Sequence, residues 1–312
     1  MTNEFTWSVS RQRLFRTCRR AYYFRYYGAW GWWEPGADPL TRELGILKNL
    51  KTRFTLAGEV VHETIAHVLG RHRDGQEVPL ALAQERVVAL LREGFRQSLR
   101  QEYRQRKAVG LFEHEYGEEV PPDEWARMRD RALRCLENFY NSEIRRAILA
   151  RPPASWFPID TLDSFDFEGT KVFAAPDFAM RDAAGDTHIL DWKTGEPDEA
   201  AGQRQLACYG LFARERWGLD PRRAVGELCY LESGKYVSTP LDEAALAGAA
   251  ALIRQSISEM KCLLSDPARN RADPTRFPRA DGLSACGRCN FRRICWPEWP
   301  PPEAARSSGS TP

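Results

Sequence analysis

The chain has 312 residues, with 45 lysines and arginines against 43 aspartates and glutamates, for a formal net charge of +2. Its hydrophobic content of 43% supports a folded core, and its 10 tryptophans and 15 phenylalanines exclude a generally disordered chain. No segment is apolar enough to span a bilayer, and the N-terminus lacks the apolar centre of a secretory signal. We therefore expect a cytoplasmic protein with no membrane partner, built as one large domain or two coupled ones.

The first half of the chain is predicted to be mainly helical. We expect a helix over 8–27, an ordered loop over 28–55 that is rich in Trp and Gly, and a second helix from Gly58. Two further helices are predicted over 80–108 and 122–150.

After residue 160 the pattern changes to short alternating segments, which are typical of strands. Strands are predicted at 164–168, 171–180, 187–192, 224–232 and 235–240, and helices at 198–217 and 241–265. This order predicts an α/β or α+β fold with a central mixed sheet flanked by helices. The proline- and serine-rich tail, 300–312, is predicted to be disordered.

A compact acidic set lies in the predicted sheet. Asp177 follows Pro176, and fourteen residues later Asp191 stands two positions before Lys193. Neighbouring strands lie about 4.8 Å apart, so the two carboxylates can meet at one hard divalent cation. The lysine can stabilise charge on an attacked phosphate or orient water. An ordinary Asp–Lys pair at a strand end is the alternative reading, because Asp-x-Lys by itself is common.

Three further residues are candidates for the same site. His62, in Gly58-Glu59-Val60-Val61-His62, is an imidazole on an early helix that can serve as another ligand. Gln205 and Tyr209 are four residues apart, so they share one helical face and can steer a phosphate or the lysine. A core histidine and a tyrosine packed on the sheet are the plainer interpretations.

In order and spacing, the set Gly58…His62, Pro176-Asp177, Asp191-Trp192-Lys193 and Gln205…Tyr209 resembles the PD-(D/E)XK nuclease superfamily, and more narrowly its RecB-type branch. The resemblance implies a restriction-endonuclease-like core with Mg2+ or Mn2+ held by His62, Asp177 and Asp191. It implies Lys193 as the catalytic lysine and Gln205 and Tyr209 as its final motif. The helical region at about 70–155 is weakest in this resemblance and is interpreted as an insertion.

The cysteines form a second pattern. Cys286, Cys289 and Cys295 supply three possible thiolate ligands near the end of the chain, and no histidine lies nearby to be the fourth. Cys18, which lies among Arg and Tyr, is the best candidate for it. The other cysteines lie in apolar contexts and are predicted to belong to the core: Cys135, Cys208, Cys229 and Cys262.

One early and three late cysteines also resemble the iron–sulfur subset of RecB-type nucleases, which includes the AddB nuclease domain and the exonucleases of CRISPR adaptation. The resemblance implies a [4Fe–4S] cluster that joins the two ends of the chain, and zinc would use the same ligands. The expected organisation is then an N-terminal segment 1–57, a nuclease core 58–265, a cysteine segment 266–299 and the tail.

The leading hypothesis is a metal-dependent DNA nuclease, an exonuclease acting on single-stranded ends. Arginines crowd the first helix and surround the late cysteines, where they would attract DNA or simply be solvated. The loop Trp30-Gly31-Trp32-Trp33 could stack unpaired bases or belong to the core. Because the chain has no P-loop motif, we expect a helicase, CRISPR-adaptation or repair partner, or ends that are already single-stranded. The alternatives are a catalytically inactive DNA-binding scaffold and a zinc-ribbon module.

Overall fold

A computed structural model describes residues 2–298 of the chain. Within that range the helices are α1 (Val9–Thr17), α2 (Arg19–Tyr23), α3 (Pro39–Leu47), α4 (Arg53–Arg73), α5 (Leu80–Leu99), α6 (Phe112–Glu115), α7 (Pro122–Asn141), α8 (Glu143–Leu149), α9 (Glu199–Trp217), α10 (Glu243–Cys262) and α11 (Arg292–Cys295). The strands are β1 (Thr6–Trp7), β2 (Asp163–Phe167), β3 (Thr170–Ala174), β4 (Phe178–Arg181), β5 (Thr187–Lys193), β6 (Ala224–Tyr230), β7 (Lys235–Pro240), β8 (Leu264–Asp266) and β9 (Arg271–Ala272).

The predicted first helix is divided at Cys18. This residue is extended, with φ −161°, and its sulfur accepts the N–H of Ala21 at the start of α2. A π-helical turn, Phe24–Gly28, then ends the helical segment. The prediction of one continuous helix over 8–27 was therefore wrong, because a cap inside the segment redirects the chain.

The predicted loop 28–55 also contains helix. Asp38 caps α3 by accepting the N–H of Thr41, and Pro39 occupies the first helical position, where its missing N–H costs nothing. Thr52 caps α4 in the same way through the N–H of Thr55, so this helix begins at Arg53 rather than at Gly58. The starts of α3 and α4 were not predicted, because the abundance of Trp and Gly around Trp32 favours a loop.

The central sheet has the strand order β4-β5-β6-β7 and is mixed, as predicted. Strands β4 and β5 are antiparallel, β5 and β6 are parallel, and β6 and β7 are antiparallel. Helix α9 makes the crossover between the two parallel strands. The single strand predicted over 171–180 is in fact two, β3 and β4, separated at Pro176 and Asp177.

Helices cover both faces of this sheet. On one face, Ile189 and Leu228 pack against Leu206 of α9 and Leu246 of α10. On the other face the alternate residues of the strands pack against α4, α5 and α7; they include Phe178, Leu190, Trp192 and Cys229. The helical region 70–155 thus supplies much of the second layer. The two central strands, β5 and β6, are largely buried on both sides, whereas the edge strand β7 is half-buried or exposed.

The N- and C-terminal segments meet beside this sandwich. Phe24, Leu44, Leu47 and Phe291 form a small apolar cluster. Asn290 donates from its side chain to the carbonyl of Leu50 (2.8 Å). The predicted tail 300–312 lies outside the described residues. Between residues 2 and 298, no helix has the length and hydrophobicity that a membrane span requires.

Candidate active site

Asp177 and Asp191 lie at one end of the central sheet. Register pairs Phe178 with Leu190, which places Asp177, one residue before β4, beside Asp191 on β5. Asp177 therefore precedes its strand, whereas the strand predicted over 171–180 would have contained it near its end. The two carboxylates still meet, because antiparallel strands bring the start of one beside the end of the other.

Two neighbours hold the Asp177 carboxylate. Its Oδ2 accepts the backbone N–H of Trp192 at 2.7 Å, and its Oδ1 lies 3.1 Å from Nδ1 of His62. Burial lowers the pKa of His62, but the charges of Asp177, Asp191 and Asp160 together outweigh burial and raise that pKa above its ordinary value. The Trp192 indole points to the other face of the sheet and packs edge-on against Phe139.

Asp191 is almost completely buried, with 2% of its surface exposed. Burial raises its pKa to about 6, and the charge of Asp177 adds to this effect. The ammonium of Lys193 contacts Oδ2 of Asp191 as an ion pair. Apart from this ion pair, that oxygen has no hydrogen-bond partner among the described residues.

A side-chain relay connects the lysine to helix α9. Lys193 Nζ donates to Oε1 of Gln205 at 2.8 Å, and Nε2 of Gln205 donates to the hydroxyl of Tyr209 at 2.7 Å. Burial raises the pKa of Tyr209 well above its ordinary value, so the phenol is neutral. The structure thus brings the predicted pair of residues to the lysine rather than leaving them on a separate face.

Helix α4 approaches this end of the sheet very closely at Gly58. A Cβ atom at this position would lie 2.8 Å from Oγ1 of Thr194, the residue after Lys193. Only glycine leaves room for that contact. One helical turn later, His62 reaches Asp177, so the close approach at Gly58 helps to set the position of the imidazole.

Asp160 also lies at this site, and it was not among the residues predicted from the sequence. Its N–H donates to the carbonyl of Asp177 at 3.1 Å, and its backbone lies in the left-handed region with φ 43°. Burial and the charge of Asp177 raise its pKa. The segment Pro158-Ile159-Asp160 has no motif character, so only the pairing of this segment beside β4 reveals the contact.

The early and late cysteines lie in one neighbourhood. Cys18, Cys289 and Cys295 pack against the same apolar cluster, and the other three thiols of the set influence Cys289 electrostatically. Burial, followed by these neighbours, raises the pKa of Cys289 to about 12. Cys135, Cys208 and Cys229 are buried as predicted, but Cys262 is exposed, because it is the last residue of α10.

Across residues 2–298, no three His, Cys, Asp or Glu side chains are already grouped as a metal-binding set. The chemistry of the donors nevertheless fits. Buried Asp191 lies beside a second carboxylate, and among the described residues its Oδ2 has no partner apart from the Lys193 ammonium, which suits a hard divalent cation. Four thiols that come together from both ends of the chain suit iron or zinc.

A sandwiched mixed sheet with two carboxylates and a lysine at its end defines a nuclease of the restriction-endonuclease-like fold. A sequence model for the PD-(D/E)XK nuclease superfamily matches residues 6–296, and the chain belongs to that superfamily. A search of curated proteins found no match.

The contact between Gly58 and Thr194 generates a first prediction. Gly58→Ala should lower the nuclease rate about tenfold or more, since the added methyl group displaces α4 and with it His62. The thermal midpoint should fall by only a few degrees, because the higher helix propensity of alanine partly offsets the strain of the added methyl group. Removing the hydroxyl in the double variant Gly58→Ala/Thr194→Ala should restore much of the rate. A double variant as slow as Gly58→Ala would contradict this account.

The raised pKa of Asp191 generates a second prediction. Its protonated form is favoured in the fold, so its contribution to stability is complete below the unfolded pKa near 3.8 and is lost as pH rises through about 6. Without divalent metal, the protein should lose about 1 kcal/mol more between pH 5 and pH 7 than Asp191→Asn does. Urea unfolding in EDTA measures this, and equal losses in the two proteins would show that Asp191 titrates normally.

Proposed function

We propose that this protein is a metal-dependent DNA nuclease of the RecB-type branch, acting as an exonuclease on single-stranded ends. The observation that carries the proposal is the meeting of Asp177, Asp191 and Lys193 at one end of the sheet. The motif order supports the RecB-type branch, and the branch supports DNA as the substrate.

In this proposal each residue of the chain has a distinct task. Asp177 and Asp191, with His62, hold Mg2+ or Mn2+. When bound, such an ion polarises the scissile phosphate and lowers the pKa of a water molecule. The Trp192 N–H fixes the direction of the Asp177 carboxylate.

Lys193 supplies positive charge next to the phosphate that is attacked. Gln205 holds its ammonium, and Tyr209 holds Gln205, so the lysine reaches the reaction already oriented. A group held in this way does not have to reorganise as negative charge develops. Gln205 and Tyr209 therefore act on the reaction through the lysine.

The third prediction tests this site. Lys193→Ala and Asp191→Ala should each lower the cleavage of a single-stranded DNA by about 100-fold or more in Mg2+ or Mn2+. Lys235→Ala is the matched control, because Lys235 is an exposed lysine on β7 that pairs with Glu199. The assay uses oligonucleotides labelled at either end, which also separates exonuclease from endonuclease products.

If Lys193→Ala cuts as fast as the unaltered protein, the active-site assignment is wrong. If the unaltered protein and all variants bind DNA but none of them cuts it, the protein is the inactive DNA-binding scaffold of the alternative hypothesis. Its retention of both carboxylates and the lysine argues against that outcome.

We also propose that Cys18, Cys286, Cys289 and Cys295 hold a [4Fe–4S] cluster, with zinc as the alternative. Support comes from the packing of early and late thiols around one apolar cluster and from the resemblance to iron–sulfur nucleases. Such a centre would link segments separated by most of the chain, so its loss should destabilise the fold.

A fourth prediction follows from this assignment. Cys289→Ala should lose bound metal and lower the thermal midpoint, whereas Cys262→Ala, a change at an exposed thiol, should do neither. Metal analysis and the visible absorption of anaerobically purified protein distinguish iron from zinc. Equal metal content in Cys289→Ala and in the unaltered protein would exclude this residue as a ligand.

The proposed partners follow from what the site needs. An exonuclease that acts on single strands needs DNA ends that are already unpaired or a helicase, CRISPR-adaptation or repair partner that opens them. Trp30 and Trp33 are 38% and 44% exposed and pack edge-to-face at 5.2 Å, so both could still contact unpaired bases. We also propose that residues 58–265 form the nuclease core and that the helical region at about 70–155 is an insertion into it.

A further inference from the structure

We propose that a cavity beside the active site receives one unpaired nucleotide of the substrate, next to the phosphate that is cut. We call it the α4–α7 cavity; its walls include Phe54, Ala57, Gly58, Met128, Arg131 and Thr194. Its volume is about 300 Å³, which lies at the lower end of small-molecule sites. This inference rests on the proposed nuclease function and adds a determinant of substrate choice to it.

The position of the cavity ties it to the reaction. Gly58 lies one helical turn before His62, and Thr194 directly follows Lys193. On the other side of Gly58, an open recess of about 420 Å³ contains His62 and Asp160. A strand whose phosphate lies at Asp191 and Lys193 would therefore have a neighbouring nucleotide at the mouth of the α4–α7 cavity.

The cavity walls suit a flat, partly apolar group. Ala57, Met128, Ala132 and Cys135 provide aliphatic and sulfur surface, and Phe54 is a 43% exposed aromatic side chain at the rim. Unpaired bases stack on such surfaces with little regard to sequence. A base that is paired in a duplex cannot enter, because its edge and both its faces are occupied.

The rim of the cavity carries arginines and their acidic partners. An adjoining recess shares Phe54, Met128 and Arg131 with the cavity. Among the described residues, Glu124 is the only carboxylate that lines this recess. Its lining also contains four arginines, Arg53, Arg127, Arg131 and Arg134.

Each of these arginines has an acidic partner: Arg53 pairs with Glu113 and Glu124, and Arg127 lies within 4.0 Å of Asp123 and Glu124. Residues 127, 131 and 134 are spaced along one side of α7. Arg131 and Arg134 share one carboxylate, that of Glu232, and the second acidic neighbour of Arg131, Glu196, is 3.8 Å away and 91% exposed. A phosphate of the substrate would therefore bind these guanidinium groups by replacing their acidic partners, of which Glu196 is the most exposed.

The test measures binding without cleavage, in the Lys193→Ala background. The probes are a fluorescein-labelled oligothymidylate and an oligonucleotide of the same length whose sugars carry no bases, and anisotropy reports affinity. The parent should bind the oligothymidylate roughly tenfold more tightly than the abasic strand. Ala57→Leu, which fills the cavity from a half-exposed position on α4, should reduce this difference about threefold or more, and any remainder would come from contacts elsewhere, such as those of Trp30 and Trp33.

Ala81→Leu is the control for that change, because Ala81 is exposed on α5 and lines none of the recesses described here. For the rim, Arg131→Gln should reduce the dependence of affinity on salt concentration by about one unit of slope for both probes. Arg129→Gln, a change on the opposite side of the same helix, should leave that slope unchanged.

Three results would overturn the nucleotide site. They are equal affinity for the two probes, a difference in affinity that is undiminished in Ala57→Leu, and the absence of any binding to the oligothymidylate. Circular dichroism and thermal midpoints show whether the variants are folded. None of these measurements depends on cleavage. The binding tests can therefore exclude the nucleotide site while the unaltered protein still cleaves DNA. The cleavage assay tests the active-site assignment separately.

Discussion

Two buried carboxylates lie beside each other at the end of the central sheet, and the surrounding structure is arranged around their mutual repulsion. Asp191 cannot easily ionise there, because it is buried and Asp177 is its neighbour. The Lys193 ammonium, the His62 imidazole and the Trp192 N–H are the groups that offset this charge. A divalent cation would do the same more strongly, which is why the arrangement suits metal-dependent hydrolysis of phosphodiesters.

Each of these groups comes from a different layer of the fold. The sheet contributes Asp191 and Lys193, helix α4 contributes His62, and helix α9 holds the lysine through Gln205. The site therefore depends on how closely both helices pack on the sheet. Gly58 sets that distance on one side, and Gly202 permits it on the other, where a Cβ atom would lie 2.6 Å from Leu228. Packing and chemistry are consequently linked through small residues.

The sequence predicted the mixed sheet, most helices and the meeting of the acidic residues with the lysine, because strand alternation and motif spacing are local properties. It failed where a local signal was overridden. A cysteine cap divides the first helix, α3 lies in a segment rich in Trp and Gly, and Pro176 interrupts a run of strand-forming residues. Exposure of Cys262 was also missed, since an apolar neighbourhood in sequence does not say which way the end of a helix faces.

The sequence by itself determined which candidate groups are present: two carboxylates, a lysine, a glutamine and a tyrosine at spacings that allow a shared site. Tertiary structure alone decided what surrounds them. The Asp160 contact, the close approach of Gly58 to Thr194 and the α4–α7 cavity all join residues that are far apart in the chain. Local periodicity fixes which face of an element a side chain occupies, but only the packing of whole elements fixes which distant side chain it meets.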